Sequence, residues 1–319
     1  MKRSWLWTLL GSYLLLLIAS YGVLFLKEEP PIPPEVETAV VSRDGGPDTI
    51  RLRYLDIRPE VEGVPVVLVH GSPGSSQSMR TLADKLSGYR VIVPDMPGMG
   101  FSEKSVPDYS FEAGGEYLLQ TLRSLGISQY HLVGFSQGGG VILTIADRAP
   151  EQVASLTMLS AIGDIEHELL GSYRLNHAIH GLQLTGLRAL YYLTPHFGLL
   201  PNGTYFARNF FDSDQRPLTE IMRNLKTRSL IIHGDYDFLV PYQAALSHHA
   251  LIPDSQLVTV VGDDHFMAIQ DQEYVATILK TFFEEGDLSL FMNEVTSEMA
   301  STKNGVRYVL IFLVILSSF

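Results

Sequence analysis

His131-Leu132-Val133-Gly134-Phe135-Ser136-Gln137-Gly138-Gly139-Gly140 decides how this chain is read. An apolar run short enough for a buried strand ends at Phe135, and helical spacing runs from Gly139 to Arg148. Between them stands a G-x-S-x-G pattern. A serine hydroxyl is a weak nucleophile and must stand where a base can reach it. A sharp strand-to-helix turn lifts it clear of the backbone but holds it in a strained conformation, so small residues are needed two before and two after. Gly134 and Gly138 meet that need. The five-residue pattern alone arises by chance in about one chain in ten of this length at ordinary glycine and serine frequencies. The strand before it and the helix after it make it specific, and Ser136 is the candidate nucleophile.

Three further segments sit just after apolar runs. His70-Gly71-Ser72-Pro73-Gly74 follows VVLV, His233-Gly234-Asp235-Tyr236-Asp237 closes SLII, and Asp263-Asp264-His265-Phe266 follows QLVTVV. A glycine-rich turn in the first position aims backbone N–H groups at the oxyanion of a tetrahedral intermediate. The expected donors are the N–H of Ser72 and the N–H of Gln137. His70, placed before the turn glycine Gly71, is expected to orient that loop by hydrogen bonding. Downstream, the order is Ser136, an aspartate (Asp235 or Asp237), then His265. In such a set the imidazole takes the serine proton, while the carboxylate fixes its tautomer and stabilises the imidazolium.

Taken together, HGSPGS (70–75), DMPGMGFS (95–102), GFSQGG (134–139), GDYDFLVP (234–241) and GDDHF (262–266) resemble the α/β-hydrolase superfamily, especially its capped single-domain members. The resemblance covers about residues 49–285. It implies a mostly parallel eight-stranded sheet with helices on both faces, an acyl-enzyme mechanism and no cofactor. Its acid usually lies three residues after the glycine, which selects Asp237 over Asp235. Ser136 stands where similar epoxide hydrolases and dehalogenases carry an aspartate, and HGSPGS differs from the HGGPG of proline iminopeptidases. Both differences point away from those activities.

The remaining pattern agrees with an α/β sheet. Short apolar runs at 64–69, 91–93, 131–135, 153–159, 230–232 and 257–261 alternate with helical spacing at 76–86, 111–125, 139–148, 243–251 and 272–283. Thr49–Ile57 alternates like a half-buried edge or meander strand. No G-x-G-x-x-G follows an early strand, which argues against a dinucleotide-binding domain. Residues 163–226 show no strand and are rich in Leu, Tyr, Phe and His, so they are read as a helical cap inserted over the C-terminal edge of the sheet. The histidines there (His167, His177, His180, His196) match no metal-ligand spacing, and no metal is expected. His248 and His249 are read as a solvated helix face.

The ends of the chain carry the other signals. Ser4–Leu26 holds no charged residue and is long enough to cross a hydrocarbon core of about 30 Å. Lys2 and Arg3 precede it, and Trp5 and Trp7 suit an interface belt. The run is longer than a signal-peptide core and lacks a small-x-small cleavage site, so an uncleaved anchor is expected over a cleaved signal. The positive-inside rule then leaves the globular part extracytoplasmic. The expected division is an anchor at 1–26, a Pro-rich spacer at 27–48, core at 49–162 and 227–288, the cap at 163–226, and a tail at 289–319. Within the tail, Val306–Phe319 is apolar but short for a span.

Composition narrows the function. With 46% hydrophobic residues a sizeable core forms, and a formal net charge of -12 repels a phosphate backbone, which excludes nucleic acid as a partner. The absence of cysteine rules out disulfides and a thiolate nucleophile. The expected activity is hydrolysis of carboxylic esters with apolar groups, from small molecules or from lipids of the bilayer that holds the chain. Hydrolysis of a C–C bond in a diketone-type substrate uses the same triad, with Arg174, Arg188 and Arg208 as candidate contacts for a substrate carboxylate. A non-catalytic protein on the same fold is the third reading, disfavoured because such a protein has no physical need for all these groups together.

Overall fold

The computed structural model describes residues 4–28, 30–43, 46, 49–167, 170–199 and 204–288. An eight-stranded sheet forms its centre: β1 (Val36–Ser42), β2 (Thr49–Ile57), β3 (Val66–Val69), β4 (Val91–Asp95), β5 (Tyr130–Phe135), β6 (Val153–Leu159), β7 (Ser229–Gly234) and β8 (Gln256–Val260). Their order across the sheet is β1-β2-β4-β3-β5-β6-β7-β8. The first two pairings, β1 with β2 and β2 with β4, are antiparallel and the rest are parallel. Every residue of β3, β4, β5 and β7 is buried, because helices cover both faces. This is the α/β-hydrolase fold that the motifs imply.

Helices α2 (Ser76–Lys85) and α9 (Gln272–Glu285) pack on one face, where Met79, Leu82, Ile278 and Phe282 meet Val66, Leu68 and Ile232. On the other face lie α3 (Phe111–Ser124), α4 (Gly138–Arg148) and α8 (Tyr242–Leu251), which contribute Tyr117, Leu118, Ile142 and Ala244 to a second core cluster. The chain leaves β3 towards β4 on one side and returns to β5 on the other. Reversal of strand order opens a crevice beyond the strand C-termini, where sites form in parallel sheets. The turns after β3 and β5, at His70 and Ser136, both face it.

Two regions differ from the sequence reading. Residues 27–48 are more than a spacer: Val36–Ser42 forms β1, fully paired with β2 from Val36 opposite Leu55 to Ser42 opposite Thr49. β1 therefore takes the sheet edge and β2 lies inside it. The 163–226 excursion contains α5 (Tyr173–Leu193), α6 (Thr204–Asp212) and α7 (Arg216–Asn224), but α7 joins the body of the domain. Its Leu218 and Met222 are buried in the same cluster as Ile142 and Ala244. The excursion off the sheet is thus carried by α5 and α6. The N-terminal helix α1 (Ser4–Leu26) has a mean hydropathy of 2.1 over Trp5–Leu26 and is long and apolar enough to cross a membrane. The apolar stretch Val306–Phe319 lies outside the described residues.

His248 also departs from expectation. It is fully buried, because α8 turns Ala244, Ala245 and His248 towards the core, while His249 is half-buried and bonded to Ser255. The Nε2 of His248 accepts the Asp164 N–H at 3.0 Å. Burial, helped by the nearby charges of His233 and His167, pushes its pKa down to about 3. An unfolded histidine titrates near 6.5, so between about pH 3 and 6.5 the unfolded chain binds a proton that the folded chain does not. Stability must fall with acidification over that window by about 1.4 kcal/mol per pH unit from this residue. His248→Gln keeps an acceptor and removes the titration. Denaturant melts between pH 4 and 7 are expected to show a shallower acid slope in the variant. An unchanged slope would locate the acid sensitivity elsewhere.

Candidate active site

Ser136 sits at the turn between β5 and α4 with a φ of 52°. A non-glycine residue there is strained, and the surrounding structure over-determines it. The glycines flanking it leave no room for a side chain. A Cβ on Gly134 would come within 2.7 Å of the Gly138 carbonyl oxygen, and one on Gly138 within 2.6 Å of the Val69 carbonyl oxygen. The close approach of β3 to the turn is what the G-x-S-x-G spacing serves. Gly71 is equally tight: its added Cβ would lie 2.8 Å from the Ser136 Cβ.

His265, in the loop after β8, reaches the serine from the other side. Its Nε2 lies 3.0 Å from Ser136 Oγ and its Nδ1 lies 2.8 Å from Asp237 Oδ2. With a carboxylate on Nδ1, the imidazole carries its proton there and leaves Nε2 to accept from the hydroxyl. Asp237 Oδ1 accepts from the N–H groups of Leu239 at 2.9 Å and Val240 at 2.8 Å. Burial alone would raise its carboxyl pKa. Hydrogen bonds from His233 and His265, the charge of His265 and the Val240 N–H outweigh burial and hold it well below the usual carboxylate range. Asp235 does not join this set. Its Oδ1 accepts the Gly262 N–H at 2.6 Å and ties the β7 loop to the β8 loop.

Ser72 and Gln137, whose N–H groups are the expected oxyanion donors, line one pocket. Ser72, Gln137, His70, Gly71 and Gly138 share a pocket wall with Met96, Met99, Tyr109, Phe111, Val141 and Asn209. The Ser72 Oγ and Gln137 Oε1 atoms are buried there without a hydrogen-bond partner. His70 is not available as a base: its Nδ1 donates to the Gly71 carbonyl at 2.6 Å and its Nε2 accepts the Met96 N–H at 3.1 Å. Both ring nitrogens pin the loops around the pocket. Asp95, fully buried, does similar work, accepting from the N–H of Ser76 at 2.5 Å and of Phe101 at 2.7 Å.

Sequence reasoning gave no role to His233. It is fully buried at the end of β7, with Nε2 2.9 Å from the Val240 carbonyl oxygen and 3.2 Å from Asp237 Oδ2. A histidine continuing a buried parallel strand needs a partner, and that was the signal in SLIIHG. None of the three arginines named as contacts for a substrate carboxylate is among the residues lining this pocket, although Arg208 stacks over the ring of Tyr109, which does line it. Arg208 is spent on Asp212, at 2.6 Å, and on the Pro107 carbonyl, while Arg174 and Arg188 are exposed.

The same outline recurs in known proteins. A family model described as alpha/beta hydrolase fold matches residues 64–174, and one described as TAP-like protein matches 210–290. A 2-hydroxymuconate semialdehyde hydrolase of Pseudomonas putida is 29% identical over 261 residues, covering 73% of this chain and 91% of that protein. Among solved structures, a meta-cleavage product hydrolase aligns with a TM-score of 0.57 at 25% identity, over 77% of this chain and 98% of its own. A thermophilic esterase from Thermogutta terrifontis aligns with a TM-score of 0.62 at 20% identity, over 78% of this chain and 98% of its own.

Proposed function

Since the chain belongs to the α/β-hydrolase superfamily, we propose that it is a serine hydrolase cleaving carboxylic esters with apolar groups. The observation that carries this reading is the continuous path from Asp237 through His265 to Ser136, with Ser136 held at a positive φ. Ser136 Oγ attacks the ester carbonyl as its proton passes to His265 Nε2. The N–H groups of Ser72 and Gln137 stabilise the oxyanion. Collapse of the intermediate expels the alcohol, which takes the proton from His265, and leaves an acyl group on Ser136. Water, deprotonated by the same imidazole, then releases the acid.

The pocket lining favours an ester over a charged diketone. Methionine, aromatic and valine side chains dominate it, and no lysine or arginine is among its lining residues. The C–C hydrolase reading rests on the names of relatives such as the 2-hydroxymuconate semialdehyde hydrolase, which span most of this chain. α1 is read as an uncleaved anchor that brings the domain to lipid esters on the extracytoplasmic side. The test compares the full-length protein in nanodiscs on p-nitrophenyl hexanoate, on a monoacylglycerol and on 2-hydroxy-6-oxo-2,4-heptadienoate. Ester turnover with little on the dienoate is expected. The reverse preference would assign the C–C reaction.

A further inference from the structure

We propose that α5 of the cap lies on the bilayer that receives α1, so that the catalytic domain meets the membrane through a second apolar surface. The inference rests on reading α1 as an anchor. α5 has two apolar faces. One packs on α6, where His177 stacks on Phe211 at 4.0 Å and His180 on Phe210 at 4.8 Å. The other is exposed: Leu175 is 49%, Ile179 40%, Leu182 75%, Leu190 49% and Leu193 60% accessible. These five recur at helical spacing over about 27 Å, with Gly186 among them, Gln183 at one edge and no charged residue on that face. A helix side of this length with no charge is unstable against water and fits an acyl-chain boundary. Arg174, exposed, stands on one flank of the stripe, where a long cationic side chain reaches lipid phosphates, whereas Arg188 falls on the far side of the helix.

The stripe ends against α1, which identifies its occupant. Tyr13 donates to the Leu193 carbonyl, and Tyr21 donates to the Tyr192 carbonyl at 2.7 Å. Ser20 Oγ accepts the Phe197 N–H at 2.7 Å, and Lys27 Nζ donates to the Gly198 carbonyl at 3.2 Å. From Tyr13 to Lys27 the segment 192–198 follows about 21 Å of α1. A bilayer that takes in α1 along its length must therefore also touch the C-terminal end of α5, where Leu190 and Leu193 are open. Tyr191, at that end, borders an opening shared with Met99, Tyr205 and Phe206. Met99 also lines the pocket beside Ser72 and Gln137.

The chain has no cysteine, so single-cysteine variants of the full-length protein report position directly. Leu182→Cys on α5, Leu15→Cys on α1 and Gln129→Cys at the opposite end of the sheet would each carry an NBD fluorophore. The labelled proteins would be placed in phosphatidylcholine nanodiscs with doxyl-labelled phosphatidylcholine as quencher. Leu182→Cys and Leu15→Cys are expected to lose most of their emission, and Gln129→Cys to keep it. Quenching at Leu15→Cys without quenching at Leu182→Cys would overturn the proposal and leave the anchor standing. No quenching at either would remove both. A label at position 182 that escapes lipid quenching, but is shielded from iodide as protein concentration rises, would assign the face to a second copy of the chain and also overturn it.

Discussion

Ser136→Ala is expected to lower ester turnover by about 10⁴-fold or more, a loss of at least about 5 kcal/mol of transition-state stabilisation. The oxyanion donors and the pocket would survive, because the Ser72 and Gln137 N–H groups belong to the backbone. Folding should be spared too. Alanine meets the same positive φ as serine, so the strain at this position is unchanged, and the only side-chain hydrogen bond removed is the one to His265. Labelling by a fluorophosphonate probe reads the result directly: the wild type is labelled and the variant is not, with similar melting temperatures. Equal labelling of both proteins would place the activated nucleophile elsewhere. Absence of labelling in a folded wild type would favour the non-catalytic reading.

The second large effect separates two neighbouring aspartates. Asp237→Asn is expected to reduce kcat by about 10⁴-fold, because an amide cannot hold the His265 Nδ1–H tautomer or stabilise the imidazolium. Asp235→Asn keeps an acceptor for the Gly262 N–H and should stay near wild-type activity. If the two variants lose activity equally, the assignment of the acid fails. The acid limb of the pH profile gives an independent check. The native carboxyl of Asp237 titrates below the ordinary range, so Asp237 remains ionised as the pH falls past about 3.9, the unfolded value. Its contribution to stability is present above that value and is lost only as the pH falls through the lower folded one. A decline in activity between pH 5 and 7 therefore belongs to another group.

Most of the sheet and the local setting of each site residue were legible from residue order. Buried parallel strands appear as short apolar runs whatever they pair with, and the nucleophile turn announces itself by glycines at fixed offsets. Where local signals were weak, the reading failed. β1 went unrecognised because Val36–Ser42 follows a proline-rich, charged stretch, and its alternation covers only seven residues. α7 looked like cap because helical spacing shows that one side is apolar, but not which surface receives it. His248 looked solvated for the same reason. A histidine in a helix has no sequence signature of burial, and only the packing of α8 against the core turns its ring inward.

Residue order alone supplied the ingredients of the candidate site: a serine on a strained turn, an acid and a base each at a strand end, and an apolar segment at the N-terminus. Those are properties of neighbours in the chain, set by steric and hydrophobic periodicities that span a few residues. The tertiary structure decided what meets what. Ser136 and His265 are 129 residues apart, and no local rule places them 3.0 Å from one another. The choice of Asp237 over Asp235 became geometric only when the β7 and β8 loops came together, and His233 acquired its partner there as well. The outer face of α5 likewise gained its significance only when its C-terminal end was found against α1. Contacts of that kind arise from the order of strands in the sheet and the packing of helices around it, which a one-dimensional pattern does not encode.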